Sequence, residues 1–234
     1  MIPWDVKGPY QVVFSTREGG VSEGPFASLN LGRMTGDEPE RVDENRRRLC
    51  AAIGADPARI ALNRQHHSAG VHRAVPGSRG APGDGLWSDE PEEPMLALAA
   101  DCLTIAMARA NGSAPGLAVL HAGWRGLLEG IVEAGAAALG GTHLSAAIGP
   151  SIGPCCYEVG PEVEDAFASR YGPGLMRGRK LDLWTAAERA LRGSGCSAVE
   201  RLDLCTFCNP ELFFSERRMG KPRGTHGVIG VVAS

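Results

Sequence analysis

The chain has 234 residues, 43% of them hydrophobic, and a formal net charge of −3. Such a chain can bury a full core, which excludes disorder, and it lacks the basic excess of a dedicated nucleic-acid binder. No apolar run of about 18 residues occurs, and MIPWDVKGPY at the start is not a basic-then-apolar leader, so neither a membrane span nor secretion is expected and the location expected is cytoplasmic.

In chain order, residues 10–16 (YQVVFST) read as a strand and REGGVSEG after them as a glycine-rich loop. Residues 36–55 read as a helix with Asp37 as cap, Pro39 in the first turn, Val42, Leu49 and Ile53 as its apolar stripe, and Gly54 as its stop. A strand is expected over 59–65. Residues 76–94 are dense in Pro, Gly and acid and read as a surface loop. The apolar runs 95–108 and 116–120 predict strands of a covered sheet. A helix is expected over 125–139 with Leu127, Leu128, Ile131, Ala134 and Ala138 inward. Residues 144–148 form another strand, followed by the stiff loop GPSIGPCCYEVG. Helices over 161–170 and 182–192 and strands over 201–204 and 227–233 complete the chain. Strands and helices mix without a strict βαβ rhythm, which predicts an α+β fold, one domain over residues 1–234 with a mixed β-sheet core covered by helices.

Seven cysteines stand at 50, 102, 155, 156, 196, 205 and 208. An odd count in a chain of this length fits free thiols or metal ligands better than a disulfide framework. CTFC (205–208) has the spacing of half a zinc site or of a thiol redox pair, but neither a second half-site nor a thioredoxin-like context is evident in the sequence, so these thiols are expected to be free.

Asp101 and Cys102 interrupt an apolar run, and a carboxylate there must lie at a strand end or face a cleft. From the residues alone, a capping carboxylate and a small buried thiol are open alternatives to a functional pair. His121 ends the next apolar run, and His66 and His67 follow the strand at 59–65. A His/Cys/His set suits zinc and leaves a fourth position for substrate or water; Cys102 and His121 could instead act as a metal-free thiolate–imidazolium nucleophile. Arg17 in REGG and Arg125 in HAGWRG are candidates for binding an anion, because guanidinium donates paired hydrogen bonds to phosphate or carboxylate.

The segments FSTREGGVSEGPFASLNLG, RQHHSAGV, ADCLTIAMA, HAGWRG, IGPSIGPCCYEVG and CTFCNPELFFSERRMG occur in one order. With them the chain resembles the laccase-domain, or multicopper-polyphenol-oxidase-like, family from about Val13 to about Gly227, and ADC followed by HAGWRG is the specific part of the match. The resemblance implies a zinc-containing purine nucleoside phosphorylase acting on adenosine, inosine and methylthioadenosine with phosphate, with an adenosine deaminase side activity; a peptidoglycan-precursor-editing amidase is a second role associated with the family. It further implies zinc held by His67, Cys102 and His121, with His66 as a spacer where the family is usually apolar. Asp101 and Glu158 are acid/base candidates, and Arg17 and Arg125 are the substrate-anion candidates. Glu216 stands where the family commonly has Tyr, and Thr225-His226-Gly227 replaces the usual Thr-Gly-Arg. Six histidines with no His-x-His pair cannot build a multicopper oxidase site, so copper oxidation is not expected. A non-catalytic zinc-stabilised binding module is the remaining alternative.

Overall fold

The computed structural model describes residues 1–110, 114–141 and 143–234. Fourteen strands and six α-helices follow one another along these residues. The strands are β1 (Ile2–Pro3), β2 (Tyr10–Phe14), β3 (Leu62–Arg64), β4 (Val71–Arg73), β5 (Arg79–Pro82), β6 (Gly85–Ser88), β7 (Met95–Ala99), β8 (Leu103–Arg109), β9 (Leu117–Ala122), β10 (Leu144–Ile148), β11 (Met176–Arg177), β12 (Lys180–Leu181), β13 (Cys196–Arg201) and β14 (His226–Val232). The helices are α1 (Pro39–Ala51), α2 (Trp124–Glu129), α3 (Ile131–Ala138), α4 (Pro161–Tyr171), α5 (Leu183–Gly193) and α6 (Glu216–Met219).

A six-stranded mixed sheet in the order β13-β10-β8-β9-β6-β4 faces a four-stranded antiparallel sheet in the order β1-β2-β14-β7. The period of two along β8 shows how one strand serves two cores. Leu103, Ile105 and Met107 join the cluster under α2–α5, while Ala106 and Ala108 meet Phe14, Ala97 and Val228 between the sheets. Small residues on the inter-sheet side let the two sheets approach. Leu49, Cys50 and Ile53 at the end of α1 cover the outer face of the four-stranded sheet against Val13, Leu96 and Ile229. The layers are therefore helices, sheet, sheet, helix, an α+β arrangement with the mixed sheet the sequence predicts.

Several predicted elements change. The supposed loop 76–94 holds β5 and β6, and β6 lies inside the large sheet between β9 and β4. Its Gly and Pro punctuate short strands rather than solvate a loop. The run 95–108 is broken at Asp101, whose φ of 99° turns the chain out of the small sheet and into the large one. The predicted helix 125–139 is two helices: Gly130, at φ 95°, caps α2 and starts α3. That kink rotates the inward face, so Leu127, Ile131, Val132 and Ala136 are buried while Leu128, Ala134 and Ala138 are half-exposed. Only 62–64 of the strand expected over 59–65 is extended in a ladder, because residues 57–59 form a 3₁₀ turn. The last large-sheet strand is 196–201 rather than 201–204. Asp37 does not cap α1; its carboxylate accepts from Ser22 Oγ (2.6 Å) and Asn30 Nδ2 (2.9 Å), tying the REGG loop to the helix.

Candidate metal centre

Three segments meet at the ends of β3, β7 and β9. Strand β9 ends in His121, the bend between β7 and β8 supplies Cys102, and the turn after β3 supplies His67. One donor atom from each lies within 4.8 Å of the other two. Cys102 Sγ is 3.7 Å from His67 Nε2. A tetrahedral zinc with ordinary S and N bond lengths sets that separation at about 3.6 Å, so the donors already stand at ligand spacing. His66 is solvent-exposed and its Nδ1 lies 3.3 Å from the Arg64 carbonyl, so the structure places His67 and not His66 beside Cys102.

The glycine of HAGWRG explains itself here. A Cβ on Gly123 would come within 2.7 Å of the His67 ring and 3.2 Å of Cys102 Sγ, so only a residue without a side chain leaves room for the centre.

What aims the ligands is Asp84, a residue the sequence reading placed in the loop 76–94. It is fully buried at the start of β6. Its Oδ1 accepts from His121 Nδ1 (2.8 Å) and from the backbone N–H of His67 (3.0 Å); its Oδ2 accepts from the N–H groups of His66 (3.2 Å) and Ser68 (2.8 Å) and from Ser68 Oγ (2.8 Å). One carboxylate thus fixes the His121 tautomer, leaving Nε2 for the centre, and holds the turn that carries His67, itself at a positive φ of 68°. Burial alone would raise the Asp84 pKa, but hydrogen bonds from His121 and Ser68 outweigh it and hold the carboxyl well below the usual range. The acid flanked by glycines in GDGLW, just before an apolar triplet, was the available signal.

Burial opposes charge on Cys102 and His121 too, but each favours ionisation of the other. The thiol is drawn down to about 6 and the imidazole, also held by Asp84, is pushed up to about 9. The Cys102 shift favours the thiolate, and a thiolate is the form a metal binds.

Asp101 is buried beside this centre but does not point its carboxylate into it. Oδ1 accepts from Thr206 Oγ1 (2.6 Å), and Oδ2 accepts from Ser215 Oγ (3.0 Å) and the Arg217 N–H (2.7 Å). Those three bonds occupy it in fastening residues 206–217 to the β7–β8 bend. Glu158 is exposed, and its carboxylate pairs with Arg179 at 3.3 Å. Arg17 directs Nε to the Ala27 carbonyl (2.6 Å) and Nη1 to that of Pro210 (2.9 Å), and lies over Phe214, so it braces two loops. Arg125 differs. It is exposed in the first turn of α2, stacks on Trp124 at 4.3 Å, and makes no hydrogen bond or ion pair to the described residues. Tyr157 was not foreseen. Its phenol is mostly buried, with Cys102, Arg217 and Arg125 as its charged neighbours, and Arg217 lies over its ring at 5.4 Å. Burial and the Cys102 charge push that phenol up to about 12. A cavity of about 660 Å³ is lined by residues of α1, by Pro57 and Ala58 and by Arg33 and Arg79, and by none of the candidate site residues.

Cys155, Cys156, Cys205 and Cys208 are free, as expected, but the structure brings the adjacent pair Cys155–Cys156, 50 residues upstream, to CTFC, and the four sulfurs lie within 4.8 Å of one another. The chain brings them together through a parallel bridge between Ser151 and Cys205 that sequence spacing does not reveal.

Comparison with known proteins gives the family of the chain. The profile of the family described as multi-copper polyphenol oxidoreductase laccase matches residues 11–232. The chain belongs to that family. It is 37% identical over 228 residues to a purine nucleoside phosphorylase of Pseudomonas aeruginosa, covering 93% of this chain and 92% of that one. Purine nucleoside phosphorylase YfiH of Escherichia coli is 36% identical over 217 residues, covering 87% and 86% of the two chains. Among solved structures, YlmD from Geobacillus stearothermophilus superposes with a TM-score of 0.89 at 31% identity, over 97% of this chain and 93% of its own. Among the described residues no helix is long and apolar enough to cross a membrane.

Proposed function

We propose that this chain is a zinc-containing purine nucleoside phosphorylase, cleaving nucleosides such as adenosine, inosine and methylthioadenosine with phosphate in the cytoplasm. The observation that carries the reading is the His67–Cys102–His121 convergence, aimed by Asp84, in a chain whose relatives bear that name. The donor set fits zinc: one thiolate and two imidazoles at ligand spacing, with a carboxylate orienting the buried imidazole. When bound, zinc would act as a Lewis acid toward a substrate atom.

The protein's own groups account for the rest. Phosphorolysis replaces the base on the ribose carbon by phosphate, so the site must hold an anion and ease departure of a base that gains negative charge. Arg125, without a hydrogen bond or ion pair to the described residues and stacked on Trp124, offers its paired donors to phosphate. Tyr157 keeps its proton at neutral pH and has Arg217 over its ring and Arg125 among its charged neighbours, so it can donate a hydrogen bond to the departing base. Asp101 acts through others, by holding the Arg217 segment in place. Deamination of adenosine would use the same centre with water in place of phosphate.

The closeness of Cys102 to His121, each of which favours the charged form of the other, supports a second reading, a metal-free cysteine hydrolase acting on an amide of a cell-wall precursor. Metal content separates the two. The test is phosphate-dependent base release from a nucleoside panel beside zinc analysis, for wild type and Arg125→Ala. Arg125→Ala should keep its zinc, lose about tenfold to a hundredfold in efficiency with phosphate, and lose less in deamination, since a two-pronged charge-assisted bond is worth roughly 1.5–3 kcal/mol. Equal losses in both reactions, with unchanged apparent phosphate affinity, would remove Arg125 from this role. Turnover without bound metal would favour the hydrolase.

A further inference from the structure

A second set of metal-competent donors lies apart from the proposed catalytic centre. Cys155 and Cys156 sit on the Gly/Pro loop that follows β10, and Cys205 and Cys208 on the turn that follows β13. Their four sulfurs lie within 4.8 Å of one another. Cys208 Sγ is 3.6 Å from that of Cys155 and 3.4 Å from that of Cys156. Sulfurs held at about 2.3 Å around a tetrahedral zinc are about 3.8 Å apart. A disulfide would join only two of the four, at about 2.05 Å, and Cys208 stands nearly equidistant from two candidates rather than close to one.

The backbone prepares this arrangement. Ser151 N–H donates to the Leu204 carbonyl (3.2 Å), and Thr206 N–H donates to the Ser151 carbonyl (3.0 Å), so the two turns are zipped together beside the thiols. Gly153 N–H donates to Cys205 Sγ at 3.3 Å, the kind of contact that orients a ligating sulfur and lowers its basicity. Cys205 is buried, whereas Cys155 and Cys208 are exposed, so an ion reaches the cluster from solvent and seats against an inner sulfur.

We propose that Cys155, Cys156, Cys205 and Cys208 form a closed tetrathiolate zinc site. Four protein ligands leave no position for substrate, so the ion holds rather than reacts. What it holds is specific. The Gly/Pro loop carries Tyr157, and the segment running on from Cys208 carries Arg217, and these two side chains meet at 5.4 Å beside Cys102. The same turn provides Thr206, which donates to Asp101. The ion straps together the two loops that make one wall of the catalytic centre. This inference does not depend on the reaction assigned to that centre.

The test is metal analysis of the full-length protein purified without added metal, as wild type, Cys102→Ala, Cys155→Ser and Cys208→Ser. Wild type should carry about two zinc ions per chain and each variant about one. Reconstitution with cobalt should give the intense sulfur-to-cobalt absorption of a tetrathiolate site in wild type and Cys102→Ala. Both Cys155→Ser and Cys208→Ser should lose it. The two mutated positions are exposed, so either variant serves if the other folds poorly. Wild-type metal content and cobalt spectrum in both serine variants would overturn the proposal. So would fewer than seven titratable thiols in the chelated, denatured wild type, which would mean a disulfide. Loss of zinc in Cys102→Ala reports only on the catalytic centre, so failure of one site is distinguishable from failure of the other.

Discussion

Asp84 and Asp101 are buried carboxylates on either side of Cys102, and each is saturated with hydrogen bonds, but their partners differ. Asp84 accepts from three consecutive backbone N–H groups, those of His66, His67 and Ser68, and from His121. Asp101 accepts from Thr206, Ser215 and Arg217, all more than a hundred residues downstream. The first carboxylate builds the wall that would carry the metal; the second docks the wall that would meet substrate. Two acids that look alike in sequence therefore divide the candidate site into a part that would bind the ion and a part that would shape the opening.

The sharpest test of this division is Cys102→Ala, which removes the sulfur at the boundary. It should abolish zinc in the centre and cost about a hundredfold or more in turnover, read by metal analysis and phosphorolysis rates. A fully active variant would sink the zinc-centre assignment.

Asp84→Asn should come next. The amide cannot accept from all of its present donors, so His121 loses its fixed tautomer and the His67 turn loosens. Zinc affinity should fall about tenfold to a hundredfold, measured by competition with a chromophoric chelator. Asp101→Asn should do the opposite in kind. It leaves Arg217 N–H or Ser215 without a proper acceptor, so urea denaturation should show a loss of about 1–3 kcal/mol, while zinc in the centre stays near the wild-type level. If Asp101→Asn released that zinc as readily as Asp84→Asn, the two walls would not be separable.

How far the sequence carried this reading follows from the range of the contacts. Cys102 and His121 were legible because each ends an apolar run, and a titratable group there is either at a strand end or costly to bury. Choosing His67 over His66 rested on resemblance, and the physical reason appears only in the turn that Asp84 holds at positive φ. Asp84 itself was hidden by composition: Pro, Gly and acid over 76–94 suggest solvent, yet Gly85 and Leu86 pack beneath β9 in the sheet. The four-cysteine cluster was hidden by topology, since its halves meet only through the pairing at Ser151 and Cys205. Arg125 was legible as an available cation, whereas the Arg17 guanidinium was taken up by carbonyls that no local pattern foretells.

A third buried polar group tests the same contrast from the side of partner supply. His226, within the Thr225-His226-Gly227 stretch that departs from the family's usual Thr-Gly-Arg, lies behind the Asp101 wall against Phe213 and Phe214, and neither ring nitrogen has a partner among the described residues. Burial, with Arg223, Arg17 and Arg218 nearby, pulls its pKa down to about 3. A histidine depressed in this way stays neutral when folded but takes a proton when unfolded below its ordinary value near 6.5. Stability should therefore fall as pH drops below about 6.5 and keep falling toward pH 3. Between pH 6.5 and 5 this one group should cost about 1.5 kcal/mol. The Asp84 contribution is lost only below about pH 4, where an unfolded Asp begins to bind protons, so the two windows separate. His226→Phe keeps a flat ring between its neighbours and removes the titration. Whatever constant repacking cost the exchange brings, urea denaturation at pH 6.5 and pH 5 should show the wild type losing about 1.5 kcal/mol more than the variant. An identical pH dependence in both proteins would mean that His226 finds a partner for its proton, and that the wall behind Asp101 is better supplied with polar contacts than its side chains show.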